Sequence, residues 1–392
     1  MDSKQIIAQA DGALMPTYAH FHAAIVSGKG ATLTGADGQT YIDFTSGIGV
    51  NSLGYGDADW AQAIADQAGR LQHISNLYYA PSMAAFAEKI TRRTGFERVF
   101  LCNSGAEANE CAVKTARKYA YDHRGAGHST VITLINSFHG RSMVTLTATG
   151  QEALHPECFA PYNPGFKYVP AGDMAALEAA ADDTVCAVMI EPIQGEGGVM
   201  PMDAEYVRQV RRLCDERRLL MIFDEVQTGV GRTGKLYAWE HYGVRPDILT
   251  SAKGIGNGLP MGLCLAKEAV GAGMTAGMHG STFGGNPVAC AGACVVIDKI
   301  DDVLLADITR KGSYLREQIS GMKHVKEVRG MGMMLGIVLD GLDAKAIAAK
   351  CVEKGLLILT AKTLLRLLPP LVITDGEIDR GLEILKNVLE EE

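Results

Sequence analysis

Between about Arg98 and Glu268, short apolar runs bounded by Gly, Asp or Pro alternate with longer segments of helical period. This is the pattern of a largely parallel sheet covered by helices, and it predicts an α/β fold. The predicted strands are Arg98 to Asn103, Thr130 to Asn136, Val185 to Glu191, Leu219 to Val226, Asp247 to Ala252 and Gly262 to Lys267. Between the third and fourth of these, Asp203 is placed to cap a helix whose Tyr206, Val207, Val210, Leu213 and Cys214 recur at spacings of three and four and so share one face. Strand, covering helix and strand make a βαβ crossover. After roughly Asp301 the texture changes to a helix, an apolar stretch broken at Gly330 and Gly332, another helix, and Leu364 to Ile373 interrupted by Pro369 and Pro370. A second, smaller α+β domain fits that order. It closes with a helix begun by a Thr374-x-x-Glu377 capping box, with Ile378, Leu382, Leu385 and Leu389 on its buried face. The opening segment through about Gly49 is Gly-rich and holds only short strand-like pieces such as Thr40 to Phe44. The expected division is 1–49 as a segment packing with the small domain, 50–300 as the large domain and 301–392 as the small one.

Composition narrows the classes. A chain of 392 residues that is 47% hydrophobic and 21% charged has apolar material for a packed core, divided over two domains rather than one. Lys plus Arg number 37 against 45 Asp plus Glu, a net charge of -8. That balance argues against nucleic acid as a partner, although small anions can be bound locally. The 9 cysteines are scattered singly from Cys102 to Cys351 with no C-x-x-C pair, so neither a disulfide framework nor a metal site is expected. Met1-Asp-Ser-Lys-Gln lacks the pattern of a secretory signal, and no apolar run approaches the ~20 residues of a membrane span. A cytoplasmic protein with no membrane partner is the expectation.

Ligands of parallel α/β sheets gather at the carboxyl ends of the strands, which directs attention to polar residues just after the apolar runs. Asn103-Ser104-Gly105-Ala106-Glu107 follows the first strand and opens a helix, with Ser104 and Glu107 at capping-box spacing. Free amides in that first turn would suit a phosphate, with Gly105 permitting close approach. Taken alone, the motif is more simply an ordinary capped helix. The buried run Leu219 to Phe223 delivers Asp224 and Glu225 at its end, where a carboxylate needs a cation or strong donors. An acid capping a structural turn explains Asp224 as well. Asp247 to Lys253 ends another strand on a lysine followed by Gly254, Gly256 and Gly258. Desolvated there, Lys253 would lose its proton more readily and could attack a carbonyl; a lysine snorkelling to solvent is the alternative. One ligand needs all three elements together: pyridoxal phosphate has an aldehyde for a lysine, a phosphate for a helix start and a ring nitrogen for an acid.

The blocks Leu14-Met-Pro-Thr-Tyr18, Asn103-Ser-Gly-Ala-Glu-Ala-Asn109, Ser137-Phe-His-Gly-Arg141, Glu191-Pro-Ile-Gln-Gly-Glu196, Phe223-Asp-Glu-Val-Gln-Thr228, Thr250-Ser-Ala-Lys253, Gly280-Ser-Thr-Phe-Gly-Gly-Asn286 and Leu365-Arg-Leu-Leu-Pro-Pro370 occur in order almost from end to end. With them the chain resembles a subgroup III aminotransferase of the aspartate-aminotransferase fold, a fold type I pyridoxal-phosphate transferase, and within that family the branch acting on acetylornithine. The resemblance implies that Lys253 takes the cofactor's aldehyde and later carries the proton. It implies phosphate contacts at Ser104, Gly105 and Ala106, the last two through backbone amides, and Phe138 against the ring, a place any buried aromatic could imitate. It puts Asp224 on the ring nitrogen, Val226 in the cofactor site and Gln227 near the phenolic oxygen. Thr282 would reach the phosphate of the neighbouring subunit, which implies a homodimer with shared active sites, and Ser281 would help hold the substrate. On the substrate side, Arg141 would bind the α-carboxylate of acetylornithine and then the side-chain carboxylate of 2-oxoglutarate. Arg366 would bind the α-carboxylate of 2-oxoglutarate, which leaves as glutamate, and Glu196 would neutralise Arg366 while the first substrate is present. A purely structural Glu196–Arg366 ion pair is the alternative. The implied pathway is arginine biosynthesis.

Other readings remain at this point. Gly229-Val-Gly231-Arg-Thr-Gly234 satisfies the dinucleotide pattern of a dehydrogenase, but polar residues precede its first glycine and no helical period follows it. A protein that only stores the cofactor is a second. Closer relatives act on ornithine, 4-aminobutyrate, N-succinylornithine or N-succinyldiaminopimelate, and would differ in the walls around the distal end of the substrate, to which Asn76-Leu-Tyr-Tyr79 and Thr45 to Val50 are expected to contribute. Gly54-Tyr-Gly-Asp-Ala-Asp59 departs from the family, which commonly has a His and a Pro after the glycine.

Overall fold

The computed structural model describes residues 1–392. After the helix Ser3–Asp11, β1 (Ile25–Lys29), β2 (Thr32–Gly35) and β3 (Thr40–Asp43) form an antiparallel sheet. The large sheet draws on β4 (Arg98–Cys102), β5 (Thr130–Leu134), β6 (Phe166–Val169) and β7 (Val185–Ile190). A small ribbon of β8 (Ile193–Gln194) and β9 (Met200–Pro201) follows, then β10 (Leu220–Asp224), β11 (Ile248–Ser251) and β12 (Gly262–Ala266) complete the sheet. Its order is β4-β12-β11-β10-β7-β5-β6. Every predicted strand is present and slightly shorter than expected, while β6, a four-residue edge strand interrupted by Lys167, gave no clear periodic signal.

Every residue of β7, β10, β11 and β12 is buried. Such strands read as nearly continuous apolar runs because helices cover both faces. Ala187, Met189 and Ile222 face the helix Gly105–Arg124, whose Ala112, Ala116 and Ala120 let it lie close. Val188, Met221 and Phe223 point the other way, toward the helix Ala204–Arg217, and the face buried there is Tyr206, Val207, Val210, Leu213 and Cys214, as its period predicts. Only β12 is reversed, antiparallel to both neighbours. A parallel strand needs a crossover of about a dozen residues or more. The link from β11 to β12 is a short turn instead, and that turn carries Lys253.

Beyond the helix Asp302–Ser320 come β13 (Val325–Met331), β14 (Met334–Leu339), the helix Ala344–Glu353, β15 (Leu356–Leu357), β16 (Leu359–Ala361), β17 (Leu364–Leu367) and the helix Asp375–Glu390. The order β13-β14-β17-β16 makes a second antiparallel sheet, while β15 pairs in parallel with β3 and stitches the opening segment to the end of the chain. No helix is long and apolar enough to cross a membrane.

Thr374 and Glu377 form the predicted capping box. Glu377 also reaches outside its helix, accepting from Ala31 N at 3.1 Å and Thr32 Oγ1 at 2.8 Å. Thr374→Ala should therefore cost about 1 kcal/mol of stability, the usual value of a cap. Glu377→Ala should cost roughly 2–3 kcal/mol, because the buried Ala31 amide loses its acceptor. Denaturant unfolding of both variants checks the order; equal losses would mean that the carboxylate does no more than cap its own helix.

Candidate active site

The carboxyl ends of β4, β7, β10 and β11 open on one cavity of ≈ 350 Å³. Ser104, Gly105, Ala106, Phe138, Glu196, Asp224, Val226, Gln227 and Lys253 all line it. At one corner, Ser104 Oγ accepts from Glu107 N at 3.2 Å and caps the helix Gly105–Arg124. The expected box is only half formed, because the Glu107 carboxylate turns back to Asn103 N at 2.8 Å rather than to Ser104 N. The first-turn amides of Gly105 and Ala106 have no acceptor within the helix. A Cβ on Gly105 would lie 2.7 Å from Val226 Cγ1, so only glycine allows Val226 to pack beside those amides.

Asp224, 4% exposed, is held on all sides. Its Oδ2 accepts from Asn109 Nδ2 at 2.7 Å and from His139 Nδ1 at 2.8 Å, and its Oδ1 accepts from Val226 N at 3.0 Å. Thr250 Oγ1 donates to Asn109 Oδ1 at 2.7 Å and fixes the amide's orientation. Glu191, at the end of β7, accepts from Phe138 N at 2.8 Å. Burial, then the neighbouring Asp224 charge, pushes the Glu191 carboxyl well above the usual range. Across the cavity, Lys253 stands at φ 49°, a conformation that costs a non-glycine residue on the order of 1–3 kcal/mol and persists only where the surrounding structure holds it. Burial holds its amine below the usual lysine range, against the pull of Glu196. A low amine pKa, helix-start amides and a fixed buried acid are the three groups that pyridoxal phosphate requires, and all face one cavity.

Of the residues expected on the substrate side, only Glu196 lines the cavity; Arg141, Ser281 and Arg366 do not. Arg366, 3% exposed, donates from Nη1 to Glu196 Oε1 at 2.5 Å and to Gln227 Oε1 at 3.2 Å, while its Nε has no partner. Burial alone would raise the Glu196 carboxyl, but the Arg366 charge brings it below its ordinary value. Arg141 is exposed, with its guanidinium 5.4 Å from the centroid of the Phe138 ring. Ser281 stands one bond behind the cavity, its Oγ accepting from Asn103 Nδ2 at 2.9 Å. Thr282 is exposed and does not line the cavity. Asn109, His139 and Glu191 were assigned no role from the sequence; Glu191 follows its strand just as Asp224 does, and that signal could have found it. In the Gly54–Asp59 departure, Asp57 caps the helix Ala58–Arg70 by accepting from Trp60 N, outside the cavity lining. The glycine pattern at Gly229–Gly234 leads into turns and only the short helix Trp239–Tyr242, so no dinucleotide-type helix start exists there.

Residues 14–389 match the class-III aminotransferase family. The chain is 44% identical to acetylornithine aminotransferase of Haemophilus ducreyi over 100% of both chains, and 49% identical to that of Caldanaerobacter subterraneus over 96% of this chain and 97% of the relative. Among solved structures, N-acetylornithine aminotransferase of Stenotrophomonas maltophilia superposes with a TM-score of 0.85 at 37% identity, covering 98% of each chain. Ornithine aminotransferase of Toxoplasma gondii superposes with a TM-score of 0.95 at 32% identity, covering 100% of this chain and 96% of the other.

The electrostatics of Lys253 lead to a measurement on the apoprotein. If Lys253 is the amine that captures free pyridoxal phosphate, it must be neutral to do so, and the reloading rate should rise with pH and level off below the ordinary lysine range. Glu196→Gln removes a charge that favours the ammonium form, so the midpoint should move to lower pH. Stopped-flow absorbance reads both; a midpoint at the free-lysine value, or one moved upward by Glu196→Gln, would contradict this electrostatic account.

Proposed function

This chain belongs to the class-III aminotransferases, and on that premise we propose that it moves the distal amino group of N2-acetyl-L-ornithine to 2-oxoglutarate. The products are N-acetyl-L-glutamate 5-semialdehyde and L-glutamate, a step of arginine biosynthesis. The chain is a pyridoxal-phosphate-dependent transaminase. The observation that carries the substrate reading is the Arg366–Glu196 pair, whose Glu196 lines the Lys253 cavity while Arg366 lies behind it, with the second guanidinium, Arg141, beside Phe138.

Lys253 would hold the cofactor covalently, with Ser104, Gly105 and Ala106 at its phosphate, Phe138 and Val226 against its ring, Asp224 at the ring nitrogen and Gln227 near the phenolic oxygen. When bound, the cofactor supplies a carbonyl that exchanges amines and a ring that accepts the electron pair left on a substrate carbon. Lys253 Nζ, once free, would take the proton from the donor carbon that bears the amine. Asp224 would hold the ring nitrogen, and the Asn109 and His139 donors keep its carboxylate oriented. Arg141 binds the donor's only carboxylate, so the distal amine rather than an α-amine meets Lys253. Glu196 meanwhile neutralises Arg366 and discourages a second carboxylate. In the return half-reaction 2-oxoglutarate brings two carboxylates; Arg141 takes one, and Arg366, released by Glu196, takes the other. Bidentate pairing suits arginine to both tasks. Ser281 helps hold the substrate through its place beside Asn103.

The assembly we propose is a homodimer in which Thr282 of each subunit completes the neighbour's phosphate site. Leu77 at 87%, Tyr79 at 95% and Phe283 at 61% exposure form apolar surface of the kind a partner covers. We further propose the division 1–49, 50–300 and 301–392, supported by the β3–β15 pairing and the separate β13-β14-β17-β16 sheet, and a cytoplasmic location, supported by 9 unpaired thiols. A second reading, free ornithine as donor, is favoured by the backbone likeness to the Toxoplasma gondii enzyme.

Initial rates with 2-oxoglutarate as acceptor decide between donors. Acetylornithine should exceed ornithine, N-succinylornithine and 4-aminobutyrate in kcat/KM by about tenfold or more. A lead for 4-aminobutyrate or ornithine would overturn the substrate, and repeated turnover by Lys253→Ala with added cofactor would overturn the role of Lys253. The assembled mass should be twice the 41.8 kDa of the chain.

A further inference from the structure

The Gly229–Gly234 turn plays no part in the reaction as derived above, yet it carries a fully buried guanidinium, Arg232, which is 2% exposed. Burial pulls its pKa down to about 9, against the attraction of Asp43. An arginine so placed must give its protons to fixed acceptors. Nη1 donates to Pro369 O at 2.6 Å and Met333 O at 3.2 Å, and Nη2 donates to Ser46 Oγ at 3.4 Å. Ser46 Oγ in turn donates to Leu368 O at 2.5 Å. Met333 N returns a bond to Arg232 O at 3.0 Å. Here the β13–β14 hairpin lies so close that a Cβ on Gly332, itself at φ 53°, would sit 2.5 Å from the Thr233 carbonyl carbon.

These acceptors bear on Arg366. Its strand, β17, is held by β14 as far as Leu367, and the chain then bends at Leu368, Pro369 and Pro370. Prolines have no amide hydrogen, so they can be hydrogen-bonded only through their carbonyls. Arg232 supplies the donor to Pro369, and Ser46 the donor to Leu368. We propose that Arg232 is a positioning residue for the acceptor's carboxylate clamp: by gripping the Leu368–Pro369 bend directly and through Ser46, it sets where the Arg366 guanidinium meets Glu196 and Gln227. A lysine cannot reproduce this, because a planar fork is needed to reach Pro369, Met333 and Ser46 at once. The inference deepens the proposed function and rests on Arg366 receiving the α-carboxylate of 2-oxoglutarate.

Arg232→Lys, Ser46→Ala and Arg366→Lys, each as full-length holoenzyme, test it by the split between donor and acceptor KM. The KM for 2-oxoglutarate should rise about fivefold or more in Arg232→Lys and about twofold in Ser46→Ala. The donor KM and the bound-cofactor absorbance spectrum should be unchanged in both, since Ser46 is fully buried and, of Thr45 to Val50, only Val50 lines the cavity. A uniform rise in both KM values, or a lowered melting temperature with no split, would show a merely structural role and overturn the proposal. Should Arg232→Lys fail to fold, Ser46→Ala decides by the same split. If Arg366→Lys raises the acceptor KM while neither of the others does, this inference alone falls. If Arg366→Lys leaves it unmoved, the assignment of Arg366 falls and carries this inference with it.

Discussion

Asp224 ends a strand in which every residue is buried, and an ionised carboxylate in such a place costs several kcal/mol unless donors surround it. The donors come from separate parts of the chain: Asn109 from the helix after β4, His139 from the loop after β5, and the Val226 amide from the turn after β10 itself. Satisfying one charge therefore brings those segments to one point. The helix that lends Asn109 is the same helix whose first turn presents the amides of Gly105 and Ala106, so the acid and those amides are spaced by a single rigid element. Glu191 lies close enough to feel the Asp224 charge, and burial together with that charge favours its protonated form.

Facing this acid is a lysine whose backbone is strained by the turn that reverses β12. The β11–β12 link is too short to cross over, so it folds back, and Lys253 takes a left-handed conformation at its start. The reversal and the site share one cause. The rest of that turn, Gly258 through Met261, lines the cavity, so the shape of the site depends on the same short loop.

The fold was legible where burial alone dictates residue type. Continuous apolar runs marked the central strands, a three-four period marked the buried face of Ala204–Arg217, and Thr374-x-x-Glu377 marked the last helix start. The polar residues after the runs were legible for the same reason, because an apolar strand that ends on Asp224 or Lys253 is unusual without a ligand or partner. Strand direction was not: the sequence Gly262 to Ala266 is as apolar as its neighbours, and only the length of the preceding link reveals its reversal. Asn109 and His139 lay inside quoted motifs without a role, since what they do depends on Asp224, 115 and 85 residues away. Arg232 was read only as part of a glycine pattern, because its acceptors are backbone carbonyls, which leave no trace in the side-chain sequence. For Thr282 the resemblance alone supplied a role, and nothing within one subunit gives it a partner.

Energetically, the Arg366–Glu196 pair suits the clamp proposed for it, one that would have to open. Buried ion pairs lie near break-even, because desolvation offsets most of the attraction, whereas leaving one member buried and alone costs about 3–5 kcal/mol. A switch built from such a pair works only if the guanidinium exchanges one carboxylate for another and is never left bare. Glu196 engages a single nitrogen of Arg366 and is itself partly exposed, with 30% of its side chain accessible, so it can turn to solvent. Gln227 keeps a neutral hold on the same nitrogen, and Nε has no partner within the chain. In that role Nε is the donor left free for an arriving carboxylate, and Glu196 would regain water as it leaves. The exchange stays inexpensive only while Arg366 keeps its place, which is why the fixed bend beyond β17 matters as much as the charges.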